Sequence, residues 1–498
     1  MGKGGAGASS IVTREEDFPR WYQEVVARAE MADNGPARGT MVIRPWGYGI
    51  WELMQAELDR RIKEAGAENA YFPLFIPKSF LEKEAEHVDG FAKECAVVTH
   101  HRLIAGPDGG LIPDPKAQLE EPLIVRPTSE TIIGHAYANW IKSYRDLPVL
   151  INQWNSVVRW ELRTKLFLRT LEFWWQEGHT AHATYDEAEA ETRQMLDVYT
   201  DFAVNEAAVP VIPGVKSQSE KFAGALHSYT IEAMMGDKRA LQAGTSHNLG
   251  QNFAKAFNIQ YLDRDNQLQH CWTTSWGLST RFIGAIIMVH GDDQGLILPP
   301  RLAPYQVVVV PIYRSDAERV TVLEAAGRVK TQLAAGGVRV RLDERDGVTP
   351  GFKFNDWEMR GVPLRIEIGP RDVEKRQVVL ARRDMPGKTG KSFVPEDGLH
   401  GAVTTMLESI QKAMFERAQT FMRENTAEPR TYDEFKQAIE SGLFCRVWWS
   451  GDGERETQIK EETKATIRCI PLEQPGGQGV CIGTGRPATQ MAIFGRAY

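Results

Sequence analysis

The chain has 498 residues, too many for one hydrophobic core, which predicts two to four domains. A hydrophobic content of 42% and a charged content of 25% are typical of a soluble globular protein. The sequence has no run that approaches the roughly 20 apolar residues needed to span a bilayer. Nucleic-acid-binding proteins are often basic overall, so the net charge of -7 argues against this class. The 59 lysines and arginines can nevertheless form a local face that contacts phosphates.

The start of the chain and its cysteines indicate a reducing, cytoplasmic environment. The Gly/Ser-rich start, MGKGGAGASS, lacks the apolar segment of a secretory signal, and we expect residues 1–14 to form a disordered tail. Five cysteines are few, odd in number and widely spaced, which fits a reducing cytoplasm better than a disulfide framework. These cysteines are Cys95, Cys271, Cys445, Cys469 and Cys481.

Residues 15–300 are rich in aromatic side chains, lack an obvious linker and are predicted to form the first folded domain. Apolar residues at 51, 54, 58 and 62 lie on one helical face, and Gly66 would end that helix. Residues 70–76 are predicted to form a strand interrupted at Pro73, which indicates an edge or a bulge.

A domain boundary is predicted at residues 298–301, where two consecutive prolines occur. Beyond it, predicted strands at 307–310, 338–342 and 364–368 alternate with predicted helices at 315–334 and 353–360. This alternation is typical of a compact α/β domain, which we assign to residues 301–402. A long charged helix at 401–425 then leads into a third unit, and residues 403–498 are assigned to this C-terminal domain.

Residues 126–131, RPTSET, follow a short apolar strand and place Thr128 and Glu130 close together on a loop. Hydroxyl and carboxylate acceptors suit an ammonium ligand, which donates hydrogen bonds and carries the opposite charge. An ordinary helix N-cap is the alternative for this string.

A polar hairpin is predicted where residues 157–161 and 167–173 flank a short loop at 162–165. Arg159 and Glu161 would share one strand face, where they need a ligand or each other. The strand is predicted to continue through 174–179, WWQEGH, where core packing is the alternative to a site that contains His179.

Residues 242–252 are too polar for a core strand and too poor in glycine for a flexible linker, so His247 is a candidate ligand-binding or catalytic residue or a turn cap. Arg281 precedes an apolar helix at 282–289, whose N-terminus would attract phosphate. Together, Arg159, Arg169 and Arg281 could hold a triphosphate, and Phe173 could stack on a base. No Walker loop, Rossmann fingerprint or Ser-His-Asp arrangement competes with this interpretation.

These segments resemble the class II aminoacyl-tRNA synthetases. The helix that carries Trp51 and the strand through Pro73 look like motif 1, residues 159–173 like motif 2, and residues 277–281 like motif 3. Longer strings at 43–48, 126–131, 175–179, 244–252 and 365–372 resemble the prolyl-tRNA synthetase family. The ending FGRAY is similar to its archaeal and eukaryotic-like subgroup.

The resemblance implies a multidomain α/β fold: a class II antiparallel sheet with helices, then an α/β anticodon-binding domain, then a small α/β C-terminal domain. It implies activation of L-proline with ATP and Mg²⁺, transfer to the 3′ end of tRNA(Pro), and a homodimer without a membrane partner. The residues that it places at proline are Thr128, Glu130, Arg159, His247, Phe91, Trp175 and His179. Those that it places at ATP are Arg159, Glu161, Arg169, Thr170, Phe173, Gln242, Ser279 and Arg281.

The resemblance leads to three further expectations, about Ser279, an editing domain and the anticodon-binding residues. Ser279 stands where the family usually has threonine, and it keeps the hydroxyl. Bacterial-type relatives carry an editing domain between motifs 2 and 3, and residues 174–276 leave no room for one, so we expect no editing domain in this chain. In the anticodon-binding domain, Lys353, Glu367 and Arg371 are the residues implied to touch the anticodon.

The resemblance also implies a C-terminal zinc site that is degraded in this chain. Cys445 and Cys481 fall at two ligand positions, whereas Ser450 and Gly483 stand at the other two. Structural zinc requires four nitrogen or sulfur ligands, so zinc binding is not expected.

Two alternatives to this assignment differ in their class of function. A threonyl-type synthetase would carry a Cys/His/His zinc site in its catalytic core, and the pocket strings have no cysteine at their centre. A paralogue that binds tRNA or regulates without aminoacylation would typically lose motif 2 or motif 3 arginines or the anticodon domain. This chain keeps Arg159, Arg169 and Arg281.

Overall fold

The computed structural model describes residues 11–85 and 94–498, which form three α/β units. In the first unit the helices are α1 (Phe18–Arg28), α2 (Pro45–Glu64), α3 (Lys78–Ala85), α4 (Glu130–Trp140), α5 (Tyr185–Asp201), α6 (Asn252–Phe257) and α7 (Arg281–His290). Its strands are β1 (Ala32–Asn34), β2 (Met41–Ile43), β3 (Glu68–Asn69), β4 (Phe75–Pro77), β5 (Val97–His100), β6 (Leu103–Ala105), β7 (Leu111–Pro113), β8 (Gln118–Val125), β9 (Val149–Val158), β10 (Glu172–His182), β11 (Val211–Val215), β12 (His227–Met234), β13 (Ala240–Gly250), β14 (Gln260–Leu262), β15 (Leu268–His270) and β16 (Trp272–Ser279).

The second unit is the α/β domain predicted after the double proline. It contains β17 (Val307–Pro311), α8 (Asp316–Ala335), β18 (Val340–Leu342), α9 (Pro350–Met359), β19 (Leu364–Ile368), α10 (Pro370–Lys375), β20 (Gln377–Arg382) and β21 (Lys391–Pro395). The strand order is β18-β17-β19-β20-β21, with parallel pairing among the first three strands. Ser315 caps α8 by accepting a hydrogen bond from the Glu318 backbone, as expected for serine at this position.

The third unit contains α11 (Leu399–Glu424), β22 (Thr426–Ala427), α12 (Tyr432–Glu440), β23 (Phe444–Trp449), α13 (Gly453–Thr463), β24 (Thr466–Pro471), β25 (Gly479–Val480), β26 (Pro487–Ala488) and β27 (Gln490–Gly495). A capping box of Thr431 and Glu434 starts α12. No helix in the described ranges is long and apolar enough to cross a membrane.

One eleven-stranded sheet joins the first and third units, in the order β22-β23-β27-β24-β11-β12-β13-β16-β10-β9-β3. The seam between the units is the antiparallel pair β11–β24, where Gly214 lies opposite Pro471. A Cβ atom at Gly214 would lie 2.6 Å from the Ile470 carbonyl oxygen, so only glycine allows this approach. The third unit therefore extends the sheet of the first unit rather than folding apart from it.

Several predicted elements are confirmed, including the strands at 307–310 and 364–368 and the helix at 315–334. Residues 70–76 do not form the predicted strand: β3 ends at Asn69 and β4 begins at Phe75, with Pro73 between them. Proline has no backbone N–H to donate to a ladder, which explains the interruption. At the start of the chain, Ile11 is 5% exposed and packs in the hydrophobic core of the first unit, so residues 11–14 are not part of a disordered tail.

Two further sequence interpretations in the first unit, for the polar hairpin and for residues 242–252, also differ from the observed structure. β9 ends at Val158 and β10 begins at Glu172, so the connection covers 159–171 and Arg159 and Glu161 do not share a strand. Residues 240–250 form the buried strand β13, so the interpretation that residues 242–252 are too polar for a core strand is wrong. Three of its buried polar side chains have partners, which offsets the cost of burying them: Ser246 bonds to Thr192, His247 to Ser228 and Asn248 to Glu189.

Candidate active site

Three adjacent strands of the large sheet, β13, β16 and β10, build the floor of a cavity of about 280 Å³. His247 on β13 lies opposite Ser275 on β16, which in turn lies opposite His179 on β10. Two residues further along, Thr245, Gly277 and Glu177 form a second row. Side chains two positions apart on a strand point to the same face, so both rows face the cavity.

The start of helix α4 forms one wall of this cavity. Ser129 is the N-cap residue and Glu130 is the first residue of the helix. The Thr128 hydroxyl donates a short hydrogen bond to Glu130 Oε2, and the Ser129 hydroxyl donates one to Glu177 Oε1. Ser129 thus occupies the N-cap position, but in the described structure its hydroxyl bonds to Glu177 and caps no backbone N–H of α4. The Thr128 and Glu130 side chains at this helix start line the cavity.

Glu177 is the centre of a buried polar network beneath the cavity. Its Oε1 atom accepts hydrogen bonds from Gln153 Nε2 at 3.0 Å and from Asn155 Nδ2 at 2.6 Å. Its Oε2 atom lies 3.0 Å from His179 Nε2. Burial alone would raise the pKa of the Glu177 carboxyl, but hydrogen bonds from His179, Ser129 and Asn155 outweigh burial and lower it. Burial works to lower the pKa of His179, but the bond to Glu177 and its charge raise it, which favours the ion pair.

His247 has the opposite electrostatic character. Its Nδ1 lies 2.9 Å from Ser228 Oγ, and its ring stacks on Phe222 with a centroid distance of 4.7 Å. Burial, followed by the positive charges of Lys216 and His179, lowers the pKa of His247 to about 3. The imidazole is therefore neutral at physiological pH and offers a hydrogen-bonding atom without charge.

Two arginines face the cavity, and the described residues place no carboxylate within 4.0 Å of either guanidinium group. The Arg159 guanidinium carbon lies 5.4 Å from the Phe173 ring centroid and 5.5 Å from that of Trp175. Arg281 is the first residue of α7, and its Nε donates to the Leu168 carbonyl at 3.0 Å. Burial, followed by repulsion from Arg159 and Arg169, lowers the pKa of Arg281 to about 10. Such cations are poised to bind an anion.

Most of the residues predicted for the site line this one cavity. They are Thr128, Glu130, Arg159, Phe173, Trp175, His179, Gln242, His247, Ser279 and Arg281. Glu161, Arg169 and Thr170 are not brought into its lining. Glu161 and Arg169 form a 3.8 Å ion pair in the 159–171 connection, and the Thr170 hydroxyl donates to the Glu172 carbonyl. Phe91, also predicted to contact proline, lies outside the described residues.

The sequence interpretation missed several residues that line the cavity, including Glu177, Lys216, Phe222, Thr245 and Ser275. Glu177 lies inside the quoted string 175–179, and its alternation with His179 on a strand was the available signal. Lys216 and Phe222 belong to the connection between β11 and β12, which carries no recognisable motif. Only the tertiary fold brings them to His247.

The second unit has its own cavity of about 290 Å³, and Lys353 lies in its lining. The Lys353 ammonium is buried and donates to the Asp343 carbonyl at 2.9 Å. Glu367 is paired with Arg365 and Lys391, at 2.9 and 2.8 Å. Arg371 is exposed on α10. Of the three residues predicted at the anticodon, Lys353 is therefore buried, Glu367 is paired and Arg371 is exposed to solvent.

The predicted remnants of a zinc site, Cys445 and Cys481, are buried free thiols. The Ser450 hydroxyl lies 3.3 Å from Cys481 Sγ and from the Thr484 hydroxyl. Burial raises the pKa of the Cys481 thiol, but hydrogen bonds from Ser450 and Thr484 outweigh burial and lower it. In the part of the chain that the structure describes, no three His, Cys, Asp or Glu residues are grouped to hold a metal ion.

Comparison with known proteins places each unit in a family. Residues 115–290 match the tRNA synthetase class II core domain (G, H, P, S and T). Residues 306–393 match an anticodon binding domain, and residues 432–498 match the C-terminal domain of prolyl-tRNA synthetase. These matches confirm the predicted order of three α/β units.

Full-length relatives give the same assignment. The chain is 58% identical to a proline–tRNA ligase of Roseiflexus sp. (strain RS-1) over 490 residues, which cover 98% of this chain and 99% of the relative. It is 56% identical to a proline–tRNA ligase of Porphyromonas gingivalis (strain ATCC 33277), with the same coverage. It is also 56% identical to a chloroplastic/mitochondrial proline–tRNA ligase of Arabidopsis thaliana, of which it covers 88%. The chain therefore belongs to the proline–tRNA ligase family of class II aminoacyl-tRNA synthetases.

Proposed function

We propose that this chain is an ATP-dependent ligase that converts L-proline to prolyl-adenylate and transfers the prolyl group to the 3′ end of tRNA(Pro). The observation that carries the proposal is a single cavity lined both by acceptors for an ammonium group, Thr128 and Glu130, and by two arginines. Within the described residues, no carboxylate lies within 4.0 Å of either guanidinium group. The full-length relatives support this function over that of a non-aminoacylating paralogue.

Proline would bind at the end formed by Thr128, Glu130 and His247. Its secondary ammonium would donate to the Thr128 and Glu130 oxygens, while His247, neutral and stacked on Phe222, would contact the amino acid without adding charge. The ring would lie against three side chains, namely Trp175, His179 and Phe91. The proline carboxylate would then point toward Arg159.

ATP would bind beside the two arginines of the cavity. Arg159 would hold the α-phosphate, Arg281 the γ-phosphate, and Phe173, which already stacks on Arg159, would stack on adenine. Gln242 and Ser279 line the cavity beside these groups, and the Ser279 hydroxyl accepts from the Arg281 backbone N–H at 3.2 Å. The 159–171 connection would close over ATP and bring three more residues into contact with it, namely Glu161, Arg169 and Thr170.

Activation needs no general base, because the proline carboxylate is already ionised at neutral pH. It attacks the α-phosphorus in line and pyrophosphate leaves, so the protein's contribution is to position both substrates and to stabilise negative charge. Mg²⁺, held mostly by ATP oxygens with one or two carboxylates such as Glu161, would neutralise phosphate charge. The terminal 3′-hydroxyl of the tRNA then attacks the prolyl-adenylate.

Further parts of the proposal concern the whole chain. The second unit would bind the tRNA anticodon near Lys353, Glu367 and Arg371, and the enzyme would act as a cytoplasmic homodimer through the motif 1 region around α2. We propose that the C-terminal unit folds without zinc, and elemental analysis that finds stoichiometric zinc would contradict this.

We also propose that the chain carries no editing domain in cis. Residues 174–276 form β10 to β16 with α5 and α6, which belong to the catalytic unit itself. Rapid hydrolysis of alanyl-tRNA by the purified enzyme would contradict this part.

The test is proline-dependent exchange between ATP and labelled pyrophosphate, followed by aminoacylation of tRNA(Pro). We expect exchange with L-proline and none with threonine at the same concentration. Exchange with threonine alone would indicate a different amino acid, and the absence of any exchange would favour a paralogue that binds tRNA without activating an amino acid.

A further inference from the structure

A buried cluster of charges crosses the seam between the catalytic unit and the C-terminal unit. Glu232 on β12 is fully buried and accepts from Lys216 Nζ at 2.7 Å through Oε1. Its other oxygen, Oε2, lies 3.1 Å from Arg468 on β24 of the C-terminal unit. Lys216 Nζ also donates to the Arg468 carbonyl at 2.9 Å. Arg468 is thus bonded to the catalytic unit through both its side chain and its backbone.

The catalytic end of this cluster belongs to the cavity. Lys216 lines it, directly after β11, the strand that pairs with β24. The chain from Lys216 to Phe222, here called the pocket loop, continues along the cavity. Two further contacts tie this loop to α13 of the C-terminal unit: Ser217 donates to the buried carboxylate of Glu456 at 2.6 Å, and Glu220 pairs with Lys460 at 3.1 Å.

The far end of the pocket loop reaches the amino-acid end of the site. The Phe222 backbone N–H donates to Ser228 Oγ at 2.9 Å, and the same hydroxyl lies 2.9 Å from His247 Nδ1. The Phe222 ring stacks on the His247 ring. A displacement of the loop therefore moves the stacking partner of His247 and breaks the bond from Phe222 to the Ser228 hydroxyl that His247 contacts.

We propose that Arg468 is a positioning residue for proline binding: through Glu232 and Lys216 it holds the pocket loop against His247. The inference rests on the proposed function, because it takes the end of the cavity near His247 as the proline site. Arg468 itself does not line the cavity, so its effect on the amino acid would be indirect.

The cluster gives this role a physical basis. Replacing Arg468 by methionine keeps an aliphatic stem but leaves Glu232 Oε2 without its charged donor, whereas Lys216 still neutralises the buried carboxylate. The catalytic unit then keeps its charge balance and loses the bond between Glu232 and β24, while the bond from Lys216 to the backbone carbonyl of residue 468 remains. Arg159 and Arg281 lie outside the pocket loop, so the affinity for ATP would change little.

The test is steady-state pyrophosphate exchange with the full-length enzyme and the variant Arg468→Met. We expect the KM for proline to rise about tenfold, equivalent to ~1.4 kcal/mol, with the KM for ATP changed less than about twofold. Arg468→Lys restores one charged donor and should recover most of the affinity for proline. The matched control is Arg496→Met, because the Arg496 side chain donates to the Thr463 carbonyl within the C-terminal unit.

Hydrogen exchange at the pocket loop provides a second readout that does not require activity. Arg468→Met should accelerate amide exchange at Phe222 and its neighbours, and Arg496→Met should not. An unchanged KM for proline in Arg468→Met would overturn the inference, as would equal losses for both substrates without rescue by lysine, since those would indicate a general structural defect.

If Arg468→Met does not fold, a second variant still tests the inference. Lys460 is exposed and its loss is compatible with folding, so Lys460→Met should still raise the KM for proline by about two- to threefold through Glu220. If the wild-type enzyme shows no exchange with proline, the proposed function fails. The hydrogen-exchange comparison then still decides whether Arg468 orders the pocket loop.

Discussion

The sheets of the catalytic and anticodon-binding units bury different kinds of side chain. Strand β17 of the anticodon-binding unit is apolar and buried throughout. In the catalytic unit, β10 and β13 bury polar residues in their place, among them Gln176, Glu177, His179, His247 and Asn248. Two polar atoms beside the cavity, Trp175 Nε1 and Ser275 Oγ, are buried and have no hydrogen-bond partner among the residues that the structure describes. Burying such groups costs about 1–3 kcal/mol each, so the catalytic sheet gives up stability to present a binding surface.

The largest loss of activity is expected from substitution of an arginine that lines the cavity. We expect Arg281→Gln to lower kcat in proline-dependent pyrophosphate exchange by about 100- to 1000-fold, as loss of one oxyanion donor does in other enzymes. The matched control is Arg341→Gln, at an exposed arginine on β18 of the anticodon-binding unit, which should leave exchange unchanged. Equal loss in both variants would mean that the cavity arginines have no special part in activation.

A second substitution tests the polar network itself. Glu177→Gln removes the charge that accepts from Ser129, Asn155 and His179, and we expect it to lower the free energy of unfolding by about 2 kcal/mol and to raise the KM for proline. Urea denaturation measures the first effect. Glu367→Gln, at a paired carboxylate of the anticodon-binding unit, is the control and should leave the KM for proline unchanged.

The catalytic unit should also be sensitive to acid. Burial lowers the pKa of His182 to about 4 and those of His247 and His290 to about 3, from an ordinary value of 6.5. Below pH 6.5 the unfolded chain therefore takes up protons that the folded chain does not, and stability falls as the pH falls. His179, whose pKa is raised, has the opposite sign, since its contribution is retained at low pH.

His290 lies away from the cavity lining and isolates this effect. Each such histidine contributes about 1.4 kcal/mol per pH unit below its ordinary pKa, so His290→Gln should flatten the dependence of unfolding free energy on pH between 6 and 4.5 by about that slope. Denaturant titrations at several pH values measure it. A slope identical to that of the wild type would show that His290 is protonated in the folded chain.

The smallest expected effect lies in the anticodon-binding unit. Arg371→Ala removes an exposed cation on α10 and should raise the KM for tRNA(Pro) by a few-fold, with pyrophosphate exchange unchanged, because one phosphate contact contributes modestly. Aminoacylation at two salt concentrations measures it. A change in exchange would instead indicate that Arg371 acts on the catalytic unit.

The same contrast explains what could be predicted from the sequence. The apolar run at 307–310 and the alternation of strand and helix patterns after it predicted β17, β19 and α8 correctly, because burial of apolar side chains favours these elements. It failed at β13, where Ser246, His247 and Asn248 are buried by partners distant in sequence. Residues on strong local strings, such as Thr128 and His179, were found, whereas Lys216 and Phe222 reach the cavity only through pairing of β11 with β12 and β24.

The link between Lys216 and Arg468 also affects how the chain is made. The two residues are 252 positions apart. A ribosome that adds about 5–20 residues per second delivers Arg468 roughly 10–50 s after Lys216. Until β24 emerges, β11 is the unpaired edge of the catalytic sheet, and an unpaired edge is a template for aggregation. Each newly made chain passes through this exposed stage, and slower synthesis between the two residues prolongs it.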